Sequence, residues 1–262
     1  MSAAGRQWQR VAAHTYSYRN DPLEVALERI SGLGFSAVEL WIGHANDGAG
    51  RAAKALSESG LEPVAVSAGG FYDEVASSAS QSFELALAVG VEIVVACVAP
   101  QALPRLALAL PEGLTLCVEN HWDQLVRRPE DVLRLCERVP RTRLAGCLDT
   151  GHSILAGIRP EQFAARLGPR LAHVHLKDAR RISLLDLVLG PRLRRRLRSK
   201  PQPVVPGRGD IDVARLLVEL DRIDYRGWIS VEDEGADAAT ALTALKDAFT
   251  RPSAAKAAEL QS

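Results

Sequence analysis

The chain has 262 residues, 47% of them hydrophobic, which suits one large α/β barrel better than two small domains. Its 32 basic and 32 acidic residues give zero net charge, so no overall field attracts nucleic acid or anionic lipid, and a small-molecule partner is expected. The N-terminus has no apolar signal core, and no apolar run approaches the roughly 18 residues of a membrane helix, so no membrane partner is expected.

The positions of the cysteines also indicate the cellular compartment of the protein. They form no CxxC pair, and three of the four lie in apolar, strand-like runs, where reduced thiols pack as small hydrophobes. The four are Cys97, Cys117, Cys136 and Cys147. This distribution predicts a reducing, cytoplasmic environment. Formation of a homo-oligomer is left open.

Short apolar runs alternate with segments of helical spacing along the chain. The predicted strands are 10–15, 37–42, 62–67, 91–98, 114–119, 144–148, 171–176 and 228–232. The predicted helices are 23–30, 50–59, 77–89, 102–110, 129–138 and 160–167. Strands too apolar to face water on either side imply a parallel sheet covered by helices, which a single (β/α)8 TIM barrel satisfies. A doubly wound fold needs a glycine-rich phosphate loop after its first strand, where this chain reads HTYSYRND.

The barrel is expected to form one domain over 1–262, with a core over about 9–250 and a C-terminal tail from about 251. The interval between the last two strands is too long for one unit, which predicts an insertion at 179–206. It contains PRLRRRLRSK and leucines at helical spacing, and so predicts an amphipathic helix with a basic side. A solvated surface, a lid over an anionic substrate and a partner-binding arm are the alternatives.

Metal-ligand residue types follow four consecutive predicted strands. They are Glu119, Asp149, His175 and Glu232. In a parallel barrel the chemistry lies at the carboxyl ends of the strands, and the first three residues are spaced close to the roughly 30 residues of one strand–helix unit. Three carboxylates buried together without a cation would be strongly unfavourable. We therefore expect one divalent metal ion, with Mn²⁺, Mg²⁺ or Co²⁺ best suited to the oxygen-rich set and Zn²⁺ also compatible.

Other polar and aromatic residues lie on the same predicted rim and are candidates for gripping a sugar. His14 ends the first strand, and Trp41 and His44 follow the second. Trp122 lies near Glu119, where it either covers the metal or packs. His173 precedes His175 on one strand, and we expect only His175 to face the barrel centre.

The motifs resemble those of the sugar phosphate isomerase/epimerase family of xylose isomerase-like barrels, from Pro22 to about Glu234. The resemblance is carried by PLEVALERISGLGFSAVELW, VEN, LDTGH, HVHLKD and VPGRGDID with YRGWISVEDE. It implies that Glu119, Asp149, His175 and Glu232 are the metal ligands. It also implies that His152 and Arg181 hold substrate oxygens and that Glu119 and Glu232 form the acid/base pair.

The expected reaction is proton abstraction next to a metal-chelated carbonyl of a keto-sugar or polyol. Return of the proton by the opposite carboxylate gives an epimerase, and return to the neighbouring carbon gives an isomerase. Loss of a β-oxygen, with His152 or Lys177 as the acid, gives a dehydratase or lyase. Minor alternatives are an endonuclease IV-like DNA repair enzyme, for which histidine ligands are lacking, and a non-catalytic barrel.

Overall fold

Eight parallel strands pair in chain order and close into a barrel, with the first strand hydrogen-bonded to the eighth. This confirms the predicted (β/α)8 fold. The computed structural model describes residues 10–71, 75–137, 139, 143–180, 204, 209–233, 239, 240 and 242–244, with only the backbone described for 75–78. The strands are β1 Val11–His14, β2 Ala37–Trp41, β3 Glu62–Phe71, β4 Ile93–Val98, β5 Thr115–Glu119, β6 Leu144–Asp149, β7 Leu171–Leu176 and β8 Trp228–Val231.

Helices cover the outside of the barrel. They are α1 Leu23–Gly32, α2 Ala49–Ser59, α3 Val75–Val89, α4 Leu103–Ala109, α5 Pro129–Cys136, α6 Thr150–Leu155, α7 Pro160–Leu167 and α8 Val213–Arg222. Short 3₁₀ turns lie at Thr15–Tyr18, Ile42–Ala45 and Gly168–Arg170. Among the residues that the structure describes, no helix has both the length and the apolar character needed to cross a membrane.

Alternate residues of the strands belong to two separate apolar clusters. Val38, Leu40 and their equivalents on other strands pack with helix residues such as Phe163. Their neighbours in sequence form a small second cluster, which therefore lies inside the barrel. This inner cluster consists of Ala12, Ala37, Val64, Ala65, Val95, Cys117, Ala145 and Cys147. The polar residues that continue the inner face towards the strand ends are thereby directed into the barrel.

Three features differ from the sequence-based expectations. β3 continues to Phe71, past the predicted end at Ser67. The helix α6 follows β6 without a loop, because the side chain of Asp149 caps it by accepting a hydrogen bond from the backbone N–H of His152. The helix α8 precedes β8. The predicted basic helix and Arg181 lie outside the described residues.

All four cysteines are buried and free. Burial raises the pKa of each of these thiols above its usual value, so they are protonated at neutral pH. Cys117, Cys136 and Cys147 belong to the apolar clusters and pack as small hydrophobic groups.

The carboxylate of Asp178 joins the segment after β7 to the segment that leads into α8. It accepts hydrogen bonds from the backbone N–H groups of Ala179 at 2.8 Å, Gly209 at 2.8 Å and Ile211 at 3.2 Å. No residue with a side chain fits at position 209, because an added Cβ would collide with the Asp178 carboxylate and lie 2.6 Å from the carbonyl oxygen of Ala179. The buried side chain of Asp178 thus links the two chain segments that flank the predicted insertion.

Asp178→Ala is expected to lower the free energy of unfolding by roughly 1–3 kcal/mol, because three backbone donors lose their acceptor. Asp178→Asn retains one carbonyl oxygen and should lose less. Urea denaturation of the two variants and the wild type measures the difference. Equal stability of Asp178→Ala and the wild type would contradict this account of Asp178.

Candidate metal centre and active site

The carboxyl ends of the strands surround a cavity of about 260 Å³ with a largely polar lining. Its lining residues are His14, Tyr16, Trp41, Ser67, Gly69, Gly70, Cys97, Glu119, His121, His152, His175, Lys177 and Glu232. They lie on, or shortly after, all eight strands. The strand register explains the convergence, since Asp149 lies beside His175 and His175 lies beside Ser230 in the sheet.

His175 is the centre of the polar cluster. Its Nδ1 lies 2.7 Å from Oε1 of Glu119 and 3.7 Å from Oε2 of Glu232. Its Nε2 lies 3.0 Å from Oε1 of Glu39 on the opposite side of the ring. Burial acts to lower the pKa of His175, but Glu39 and Glu119 outweigh it and hold the pKa well above its usual value. The protonated ring is therefore stabilised between the two glutamates.

Asp149 and Glu232 share the ammonium group of Lys177. Its Nζ lies 2.9 Å from Oδ2 of Asp149 and 3.0 Å from Oε1 of Glu232. Asn120 fixes the backbone at Asp149 by donating to its carbonyl oxygen at 3.1 Å and accepting from its N–H at 2.8 Å. The three charged side chains are thus held in one arrangement at the ends of β6, β7 and β8.

The buried carboxylates differ in their pKa values. Burial raises the pKa of Glu119, but the charge of His175, its hydrogen bond and the charge of Lys177 outweigh this effect and lower it to about 2. For Glu232, the charges of Lys177 and His14 likewise outweigh burial, and its pKa is well below the usual value. Burial dominates at Asp149 and raises its pKa to about 8, with only partial compensation from Lys177. Lys177 alone therefore does not compensate the burial of the Asp149 carboxylate, and a further nearby cation would favour its ionised form.

The geometry and chemistry of the donors fit one divalent metal ion. Ligand atoms of Glu119, Asp149 and His175 all lie within 4.8 Å of one another. Oδ2 of Asp149 is buried and faces the ammonium group of Lys177 at 2.9 Å. Three carboxylates with one imidazole suit a hard or borderline cation. The structure therefore brings the four predicted ligands together, and their role as ligands stays a prediction.

Glu39 was missed by the sequence analysis. It lies in the middle of β2, is fully buried, and contacts His173 as well as His175. With His14 and His175 it also forms a second cluster of possible ligand atoms, which shares His175 with the first. The expectation that His173 and His175 cannot both face the barrel centre was wrong, because residues two apart on a strand project to the same side. Both histidines contact Glu39 inside the barrel.

The predicted substrate-binding residues fall into two groups. His14, Trp41, His152 and Lys177 line the cavity. His44 and Trp122 do not. The 3₁₀ turn after β2 directs His44 elsewhere, and its ring nitrogens lie 3.0 Å from Oγ1 of Thr15 and 3.2 Å from the carbonyl oxygen of Asp21.

Two aromatic lining residues were not predicted. Tyr16 makes an edge-to-face contact with Trp41, and the ring of His121 lies 3.8 Å from that of His152 between centroids. Burial, with the charge of Lys177, lowers the pKa of His152 well below its usual value. His152 is therefore neutral and can either donate or accept a hydrogen bond within the cavity.

A closed parallel barrel with carboxylates, imidazoles and a lysine at its catalytic end defines a TIM-barrel protein with a candidate metal centre. A sequence profile of the xylose isomerase-like TIM barrel family matches residues 27–253. The chain belongs to this family.

The similar proteins include dehydratases and an epimerase-like protein. An inosose dehydratase from Geobacillus kaustophilus is 34% identical over 47% of this chain and 40% of its own length. The chain spans about two fifths of the length of the curated relatives that it matches. Among solved structures, a probable 3-DHS dehydratase from Bacillus anthracis has a TM-score of 0.72 at 18% identity, covering 92% of this chain and 99% of its own. A D-tagatose 3-epimerase-like protein has a TM-score of 0.69 at 17% identity, covering 92% and 97%. At these identities the structural matches support the fold alone.

Proposed function

We propose that the chain is a divalent-metal-dependent enzyme that removes a proton from the carbon beside the ketone of a small sugar or polyol. The observation that supports this function is that Glu119, His175 and Glu232 line one polar cavity at the catalytic end of the barrel, with a carboxylate oxygen of Asp149 within 4.8 Å of ligand atoms of Glu119 and His175. These four residues would hold the metal. When bound, a divalent cation withdraws charge from the substrate carbonyl and stabilises the charge left when the α-proton departs.

Glu119 is the better placed of the two glutamates to take the α-proton. Its Oε1 contacts His175, and its Oε2 accepts a weak hydrogen bond from the Cys97 thiol at 3.4 Å. Glu232, in contrast, is ion-paired to Lys177 at 3.0 Å, so one of its carboxylate oxygens is already engaged. With Glu119 as the base and the Lys177 ammonium as the acid, the cavity holds the two groups that an elimination uses.

Lys177 therefore favours loss of water over epimerisation. Glu119 would remove the α-proton, the electrons of that C–H bond would form the C=C bond, and the β C–O bond would break. The departing hydroxyl would take a proton from the Lys177 ammonium and leave as water. Transfer of the proton from Glu119 back to Lys177 through solvent restores both groups. Curated relatives that are named inosose dehydratase agree with a dehydration.

Epimerisation is the second candidate. It requires a second base on the opposite face of the substrate, and Glu232 is the carboxylate available. The D-tagatose 3-epimerase-like neighbour supports a fold able to carry such a reaction. Glu232 would have to part from Lys177 to act as this second base.

The upper part of the cavity suits a hydroxylated ring. Trp41 and Tyr16 provide apolar faces, with their ring centroids 5.2 Å apart, against which C–H groups of a sugar or cyclitol can pack. Neutral His152 supplies a hydrogen-bonding partner for hydroxyl groups. We propose a cyclic keto-polyol with a hydroxyl group β to its ketone as the substrate class.

Incubation with Mn²⁺ in deuterated water tests the shared first step. A panel of inososes, ketohexoses and other keto-polyols should include a compound that gains deuterium at the α-carbon. Mass spectrometry should show a product lighter by one water if the reaction is a dehydration. A product of unchanged formula and inverted configuration would instead indicate an epimerase. Turnover of a substrate with no deuterium entering at the α-carbon would contradict proton exchange with solvent as the common step.

A further inference from the structure

Glu39 is a buried carboxylate that the proposed chemistry does not use. Its side chain is fully buried on β2, and it does not line the cavity. A carboxylate enclosed by the barrel interior is unfavourable unless partners compensate its charge. Its contacts therefore indicate its role.

Three histidines face Glu39. Nε2 of His175 lies 3.0 Å from Oε1 and 3.1 Å from Oε2, and Nε2 of His173 lies 2.8 Å from Oε2. Nε2 of His14 is more distant, at 3.7 Å from Oε1. Oγ of Ser230 lies 3.0 Å from Nε2 of His173 on the same side. Both oxygens of Glu39 thus have close imidazole partners, so the carboxylate has a single preferred orientation.

The two nitrogens of the His175 ring face different groups. Nε2 faces Glu39, whereas Nδ1 faces Glu119 at 2.7 Å and Glu232 at 3.7 Å. A nitrogen that binds a metal carries no proton, so the other nitrogen of the neutral ring must carry it. A carboxylate that accepts from the second nitrogen fixes this tautomer and makes the first a better donor to the metal.

We propose that Glu39 is a positioning residue that keeps the Nε2–H form of His175 and so presents Nδ1 to the metal. This inference rests on the proposed metal centre and deepens it. His173 donates from Nε2 to Glu39 and holds the carboxylate in place. Glu39 acts on the metal only through His175.

Glu39→Gln tests the proposal with the full chain and Mn²⁺ as the probe. The amide has nearly the same volume, but it has one acceptor oxygen in place of two and no charge. We expect the dissociation constant for Mn²⁺, measured by competition with a fluorescent chelator, to rise about 10–100-fold. Glu39→Asp, which restores the charge with a shorter reach, should recover part of the affinity.

Asp178→Asn is the matched control, because it also converts a buried carboxylate into an amide. Asp178 contacts backbone N–H groups of the segment leading into α8 and does not line the cavity. Its substitution should change stability without changing the Mn²⁺ dissociation constant. A fall in affinity common to both variants would indicate a general effect on the fold and would overturn the specific role of Glu39.

The tautomer itself can be observed by NMR of protein labelled with ¹⁵N-histidine and loaded with diamagnetic Mg²⁺ or Zn²⁺. The His175 ring, assigned by comparison with His175→Gln, should carry its proton on Nε2. A proton on Nδ1, an unchanged Mn²⁺ affinity in Glu39→Gln, or two bound equivalents that use Glu39 as a ligand would each overturn the proposal. Wild-type protein that binds Mn²⁺ normally but gives no α-exchange would instead contradict only the proposed function.

Discussion

His175→Ala and Asp149→Asn are each expected to weaken Mn²⁺ binding by more than about 100-fold, since each removes an atom of the proposed coordination set. His175→Ala removes the imidazole that contacts both glutamates. Asp149→Asn keeps the side-chain oxygen that caps α6 but removes the charge paired with Lys177. The barrel should therefore remain folded in the second variant.

Equilibrium dialysis followed by elemental analysis measures the bound metal, and circular dichroism checks the fold. His44→Ala is the control, because His44 is a histidine near the same rim whose ring contacts Thr15 and Asp21 outside the cavity. It should retain the metal. Full occupancy in both His175→Ala and Asp149→Asn would refute the proposed centre.

Lys177→Gln is expected to separate removal of the α-proton from loss of the β-hydroxyl group in the proposed dehydration. Loss of the ammonium group removes the acid for the departing hydroxyl, so turnover should fall by about 10²–10⁴-fold. Glu119 is retained, so deuterium should still enter the α-carbon of recovered substrate. Glu119→Gln should lose both exchange and turnover, because the proposed base is absent.

The two variants are compared by following exchange with NMR and product with mass spectrometry in the same reaction. Metal content is measured in each, since Lys177 is paired with Asp149 and Glu232. Parallel loss of exchange and turnover in metal-loaded Lys177→Gln would rule out Lys177 as the acid of a separate second step. Retained turnover would argue for epimerisation with Glu232 as the second base.

The barrel was predictable because its strands and helices alternate and each strand is apolar on both faces. The convergence of Glu119, Asp149 and His175 was predictable for a related reason: parallel strands place their carboxyl ends at one edge. What these patterns predict is where a residue lies along the barrel axis. They do not specify contacts across the interior.

Glu39 shows this limit. It lies within the otherwise apolar run AVELW, which predicts a strand but gives no position for a functional residue. A usable signal was present, because an acidic residue in the middle of a strand that is covered on both faces must find a buried partner. The position of that partner, His175, depends on the closed register of the barrel. His44 illustrates the opposite case, since a single 3₁₀ turn moved it away from the predicted site.

The small inner cluster of the barrel has an evolutionary consequence. Alanine and cysteine side chains such as Ala65, Cys117 and Ala145 have few or no rotatable bonds, so they make a rigid floor beneath the charged residues. The outer apolar cluster, which joins strands to helices, is separate from this floor. Residues at the cavity mouth can therefore change without repacking either apolar cluster. A family built on such a barrel can acquire new specificity at its strand ends and in the loops that follow them.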